Sequence, residues 1–157
     1  MGTFPERKIR CHESLGQLSI SPLSFQHITG IRAIAVLSFP LLWSEKEFGY
    51  FLAHESGHCF GLFSQAGLEA YFLSLLAQGD LDIVSIATHP RSRRKGLAKE
   101  ILLYCEKIPG VMRLFLEVES ENGAAIGLYQ KAGYKKYGLR KGYYQGKKDA
   151  ILMTKSL

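Results

Sequence analysis

Ile86-Ala87-Thr88-His89-Pro90-Arg91-Ser92-Arg93-Arg94-Lys95-Gly96-Leu97-Ala98 is the stretch from which the rest of the chain is best read. An apolar strand runs into a loop dense in cations, and a helix opens at the small residues Gly96 and Ala98. At a helix start about four amides lack intrahelical partners. The macrodipole adds roughly half a positive charge there, so the turn is built to bind an anion. Gly96 lets backbone approach a phosphate group closely, and Ala98 keeps the next turn slim. The spacing Arg93-x-x-Gly96-x-Ala98 is neither a P-loop nor a dinucleotide fingerprint.

Outward from this junction the chain alternates between strand and helix patterns. Upstream, strands are predicted at about 15–20, 58–64, 69–77 and 81–88, with Gln65-Ala66-Gly67 and Gln78-Gly79-Asp80 as hairpin turns. Ser24 caps a helix carrying Phe25, Ile28, Ile31 and Ala35 on one stripe, ended by Phe39-Pro40. Ser44 and Glu47 form a capping box for a second helix. Downstream, a helix is predicted from Gly96 to Lys107, a buried strand from Leu114 to Val118, and a helix from Asn122 to Ala132 closed by Gly133. Two last strands fit at about 135–143 and 149–155. The order β-α-α-β-β-β-α-β-α-β-β describes one α/β domain with a mixed central sheet flanked by helices, over residues 14–157. Residues 1–13 read as a loose extension.

The 157 residues, 46% hydrophobic and 22% charged, are of ordinary globular composition. No apolar run reaches the roughly 18 residues of a membrane span. Arg7, Lys8 and Arg10 are followed by polar Cys11-His12-Glu13-Ser14, which argues against a secretory signal, and Glu6 breaks the myristoylation pattern. A cytoplasmic protein with no membrane association is expected. Three widely spaced cysteines, Cys11, Cys59 and Cys105, predict neither disulfides nor a metal site. The net charge of +6 lies wholly within residues 135–157, since the preceding residues sum to zero.

Glu117 carries the second chemical signal. It places a carboxylate in an otherwise apolar strand, and a buried Glu is costly unless paired or useful. Alternation puts Phe115, Glu117 and Glu119 on one face. Tyr129 follows on the next helix, and a carboxylate and a phenol at one cleft supply a base and an acid for a proton-transfer reaction.

The segment 86–99 resembles the acetyl-CoA motif of the GNAT acetyltransferases. Residues 16–157 are similar to the RimI-like branch, which acetylates a ribosomal protein's N-terminal alanine. The likeness rests on Phe39-Pro40, Trp43-Ser44-Glu45-Lys46, Leu116-Glu117-Val118, Asn122 to Tyr129, Ala132-Gly133-Tyr134, Tyr143-Tyr144 and Asp149-Ala150-Ile151. It implies that Ile86, Ala87 and Thr88 pair with the pantetheine arm of acetyl-CoA, that amides of Arg94, Lys95, Gly96, Leu97, Ala98 and Lys99 hold the pyrophosphate, and that Asn122 touches the pantetheine. It further implies Glu117 as general base, Tyr129 as acid toward the CoA thiolate, and a protein N-terminus, a ribosomal protein's among them, as acceptor. The chain departs from the branch pattern by the inserted Leu41-Leu42, by Glu119 in place of an Arg, by Gly142 in place of an Asn, and by a short 145–148 loop. Two other readings stay open: acetylation of a small-molecule amine or another protein, and a nucleic-acid-binding module using the basic tail, which within the enzyme reading serves only as a docking surface.

Overall fold

The computed structural model describes residues 7–10, 15–40 and 42–157. Cys11, Leu41 and most of the 1–13 extension lie outside the described residues. Arg7–Arg10, read from the sequence as part of that extension, form a strand, β1, paired antiparallel with β2 (Gln17–Pro22).

Ser24 opens a single 3-10 turn, Phe25–His27, that leads into α1 (Ile28–Val36). In α2 (Glu45–Ala53) the capping box forms as predicted: the Ser44 amide donates to Glu47 Oε2 at 2.6 Å, and the Glu47 amide to Ser44 Oγ at 3.3 Å. The strands β3 (Phe60–Ser64), β4 (Gly67–Ala77) and β5 (Asp80–Thr88) follow as an antiparallel run. Then come α3 (Leu97–Cys105), β6 (Arg113–Glu119), α4 (Gly123–Lys131), β7 (Lys135–Tyr144) and β8 (Lys148–Ser156). Gly133, at φ +92°, takes the left-handed position that ends α4.

All eight strands join one sheet in the order β1-β2-β3-β4-β5-β6-β8-β7. Side chains alternate across it. Ala70 and Phe72 of β4 enter a core with Leu97, Ile101 and Leu102 of α3, Leu114, Leu116 and Val118 of β6, and Tyr129 of α4. Tyr71 and Leu73 enter a second core with Ile31 and Ile34 of α1 and Phe48 of α2. Helices therefore cover both faces. Among the described residues no helix is long and apolar enough to cross a membrane.

Among the described strands only β5 and β6 run parallel, and their ladder is short, from Asp80 opposite Arg113 to Ile83 opposite Leu116. Just there β5 gains an extra residue against β4: Ser74 faces Ile83 whereas Leu73 faces Ser85, leaving Val84 as a bulge. A bulge bends and twists its strand. Beyond it, β5 stays with β4 and β6 stays with β8, so the two parallel strands part and a wedge opens between them.

Candidate active site

The wedge is lined by backbone on its β5 side. His89 N donates to the Glu69 carbonyl at 2.8 Å, so residues 87 and 89 turn their amides and carbonyls toward β4. By the alternation of an antiparallel ladder, Ile86 and Thr88 turn theirs toward the wedge. Ala87, the third residue of that predicted trio, has its main chain toward β4 and its side chain in the α1–α2 core. The Thr88 carbonyl accepts from Arg93 Nε at 3.2 Å.

The strand runs into the cationic turn, whose form rests on two left-handed residues, Arg94 at φ +60° and Gly96 at φ +86°. Gly96 is the N-cap of α3. From Arg94 to Lys99 no amide meets a hydrogen-bond acceptor among the described residues, whereas the Glu100 amide already donates to the Gly96 carbonyl at 3.1 Å. Leu97 buries its side chain in the core and thereby anchors the first turn.

Tertiary contacts divide the five cations of this segment. Arg91 binds Glu69, with its Nη2 3.2 Å from Oε1. Arg93 reaches the Leu37 carbonyl at 3.1 Å and Ser38 Oγ at 3.2 Å, just past the end of α1. Arg94, Lys95 and Lys99 have no such partner among the described residues and belong to the same stretch as the unpaired amides.

On the β6 side, Glu117 is 28% exposed and pairs with Arg140 at 3.0 Å. The Arg140 guanidinium lies 4.7 Å from the Tyr143 ring centroid. Asp82 of β5 faces the same group, and desolvation followed by the Glu117 charge raises its pKa. Glu119, the other carboxylate of this face, is held by Lys148 at 2.7 Å, which also meets Glu121 at 3.0 Å.

These partners arrive through an irregular β7. Between Arg140 opposite Ala150 and Tyr144 opposite Lys148, three residues of β7 stand against one of β8. Gly142 supports that bulge at φ +61°, its amide donating to Asp149 Oδ1 at 2.8 Å. Gly and Asn are the residues that enter this region most readily, and a Gly occupies it here.

Tyr129 approaches from the other face. Its ring is buried in the core that holds Leu116 and Val118, opposite to Glu117 across β6. Burial, and next the neighbouring Tyr144, push the phenol up to about 12. Tyr144 interacts electrostatically with Glu117 as well and is itself raised to about 12, mainly by burial. It thus links the carboxylate and phenol that strand alternation alone keeps apart. Asn122 is exposed and caps α4, its Oδ1 accepting from the Ala125 amide at 3.1 Å.

Arg140, Tyr143, Tyr144 and Asp82 were not singled out as site residues from sequence. Arg140 was counted only as excess tail charge, and the signal that could have found it was its position within an Arg-x-x-Tyr-Tyr cluster. Burial pushes the Cys59 thiol up to about 11, and its Sγ donates to the Phe51 carbonyl at 3.5 Å. Cys105 is fully buried in the core. Neither has the exposed, electropositive setting of a nucleophilic thiol.

The Acetyltransferase (GNAT) family pattern matches residues 28–134. The [Ribosomal protein bS18]-alanine N-acetyltransferase of Escherichia coli strain K12 is 33% identical over 127 residues, covering 74% of this chain and 81% of that protein. An N-alpha-acetyltransferase of Saccharolobus solfataricus is 39% identical over 88 residues, covering 54% of this chain and 52% of that protein. The crystal structure of the Escherichia coli ribosomal-protein-S18-alanine N-acetyltransferase superposes with a TM-score of 0.80 at 29% identity, covering 88% of this chain and 93% of that one. Ard1 from Thermoplasma volcanium shares the fold, with a TM-score of 0.80 at 20% identity, covering 89% of this chain and 97% of that one. With the pattern spanning most of its length and a third of the aligned residues identical to a relative that it largely covers, the chain belongs to the GNAT family of N-acetyltransferases.

Proposed function

We propose that the protein transfers acetyl from acetyl-CoA to the α-amine of a protein N-terminus, a ribosomal protein's being the first to test. The observation that carries this reading is the run of acceptor-less amides from Arg94 to Lys99 at the mouth of a wedge that contains Glu117. The amides of Arg94, Lys95, Gly96, Leu97, Ala98 and Lys99, with the three unpaired cations, suit a pyrophosphate. The outward main chain of Ile86 and Thr88 suits the amides of a pantetheine arm lying in the wedge as an added strand, with Ala87 between them and Asn122 within reach of the arm through its side-chain nitrogen. The acceptor class is supported by the relatives, which are named for N-terminal and alanine N-acetylation.

Glu117 takes a proton from the acceptor ammonium, which frees the nitrogen lone pair. The nitrogen attacks the thioester carbonyl directly, the C–N bond forms and the C–S bond breaks. Tyr129, still protonated at neutral pH, donates to the departing sulfur and is recharged by the proton the new amide nitrogen sheds. The sequence is direct, with no acyl-enzyme.

The test is acetyl transfer from acetyl-CoA to an Ala-initiated peptide, assayed beside polyamines, aminoglycosides and free amino acids, with mass spectrometry to locate the acetyl group. Acetylation confined to the peptide α-amine is expected. Transfer only to small amines refutes the acceptor assignment. Glu117→Gln should lower turnover by about 10²–10⁴, the usual share of a general base. Unchanged turnover removes Glu117 from the role and transfers it to Glu119.

A further inference from the structure

We propose that Glu69 is the positioning residue of the anion-binding turn, so that affinity for CoA depends on a carboxylate that CoA never touches. The proposal rests on the pyrophosphate reading above and extends it to a residue outside the wedge.

Glu69 lies on β4 and is 1% exposed, yet it is charged. Its carboxylate accepts from Ser64 Oγ at 2.5 Å, from Ser92 Oγ at 2.5 Å, and from Arg91 Nε and Nη2 at 3.2 Å each. Its own carbonyl accepts from His89 N at 2.8 Å. A buried carboxylate is tolerable only when so satisfied. Burial alone would raise its pKa, but the bonds from Ser64, Ser92 and Arg91 outweigh that and hold it below the ordinary value.

What those bonds fix is the path of the chain into the turn. Residues 89, 91 and 92 are all tied to this single side chain or its backbone, and Ser92 is fully buried. Two residues later the chain enters the left-handed conformation at Arg94 and again at Gly96. A non-glycine residue there is strained and persists only where its surroundings over-determine it. Glu69 and Ser92 supply that constraint immediately upstream. The carboxylate also engages Arg91, which leaves Arg94, Lys95 and Lys99 as the cations that face an anion. The cluster has two ends. Ser64, on β3, holds the carboxylate from the hairpin side, and Ser92 transmits its position to the turn.

Calorimetry of CoA binding, with thermal unfolding and steady-state kinetics on the full chain, tests this in Glu69→Gln, Ser92→Ala and Ser64→Ala. In Glu69→Gln and Ser92→Ala the Kd for CoA and the KM for acetyl-CoA should rise by about tenfold to a hundredfold, the scale of an ångström-sized misplacement. The kcat at saturating acetyl-CoA and the KM for the acceptor should hold. Ser64→Ala should lower the Tm with CoA affinity within about twofold, because its end of the cluster does not border the turn. Glu69→Gln and Ser92→Ala that bind CoA as the wild type does overturn the positioning role and leave the CoA site standing. A wild-type protein that takes up no CoA overturns both. If Glu69→Gln does not fold, Ser92→Ala decides alone, since it keeps the carboxylate with its Arg91 and Ser64 bonds.

Discussion

Tyr129 and Tyr134 sit with ring centroids 6.0 Å apart, two buried phenols in one core. In Tyr129, the acid of the proposed mechanism, burial pushes the pKa up to about 12, so the hydroxyl keeps its proton near neutral pH. The sign is direct. A raised phenol pKa keeps the acid form intact until pH climbs through the new value, so kcat should show no alkaline fall attributable to Tyr129 up to about pH 10. Tyr129→Phe should lower turnover by about 10²–10³ with little change in Tm, a pairing that stopped-flow detection of thiol release and calorimetry would check. Tyr134 is 2% exposed and its hydroxyl has no hydrogen-bond partner among the described residues. Leaving such a group unsatisfied costs about 1–3 kcal/mol. Tyr134→Phe should therefore leave the Tm unchanged or raise it, and a clear drop in Tm would show that the hydroxyl is bonded in solution.

At the scale of elements, the left-handed turn before α3 and the bulges in β5 and β7 shape the site. Gly96 at φ +86° has no atom near the position a Cβ would take. Gly96→Ala therefore tests backbone strain alone. It should cost about 1–2 kcal/mol in urea unfolding and weaken CoA binding in parallel. A variant as stable as the wild type would mean the turn relaxes without loss. The helix start was legible because small residues and a cationic loop have a local meaning. The bulge at Val84 was not, since Asp82-Ile83-Val84-Ser85 reads as uninterrupted strand and only the register against β4 exposes the extra residue. The same holds for β7, where a predicted plain strand carries two irregularities that bring Arg140 to Glu117 and Tyr143 onto Arg140. The role of Glu69 is hidden for a related reason: it is an acid in an apolar strand, as Glu117 is, but Arg91 and Ser92, the partners that tie it to the turn, lie 22 and 23 residues away in sequence.

The whole molecule couples these parts. A ligand that binds only the folded chain stabilises it by about 2.7 kcal/mol at a hundredfold excess over Kd. Acetyl-CoA should therefore raise the Tm in a concentration-dependent way, and an unmoved Tm at saturating acetyl-CoA would contradict the proposed site. Acid should act through Glu69. A carboxyl with a depressed folded-state pKa contributes stability above its unfolded value, and that contribution is lost as pH falls through the folded value. The stability gap between wild type and Glu69→Gln should thus narrow as pH drops below the usual carboxylate value of 4.5, measured by urea midpoints across that range.

The order of strands and helices from β2 onward, the capped start of α2, the helix start at Gly96 and the alternation that singles out Glu117 were legible in the sequence alone. Each depends on neighbours within a few residues, where propensity, period and capping chemistry act. Only the tertiary structure decided that β5 and β6 part after Ile83, that two of the five cations brace the fold while three find no partner among the described residues, and that Glu117 and Tyr129 lie on opposite faces of the sheet. Those outcomes depend on register and on contacts between residues distant in the chain, which pattern within a segment does not encode.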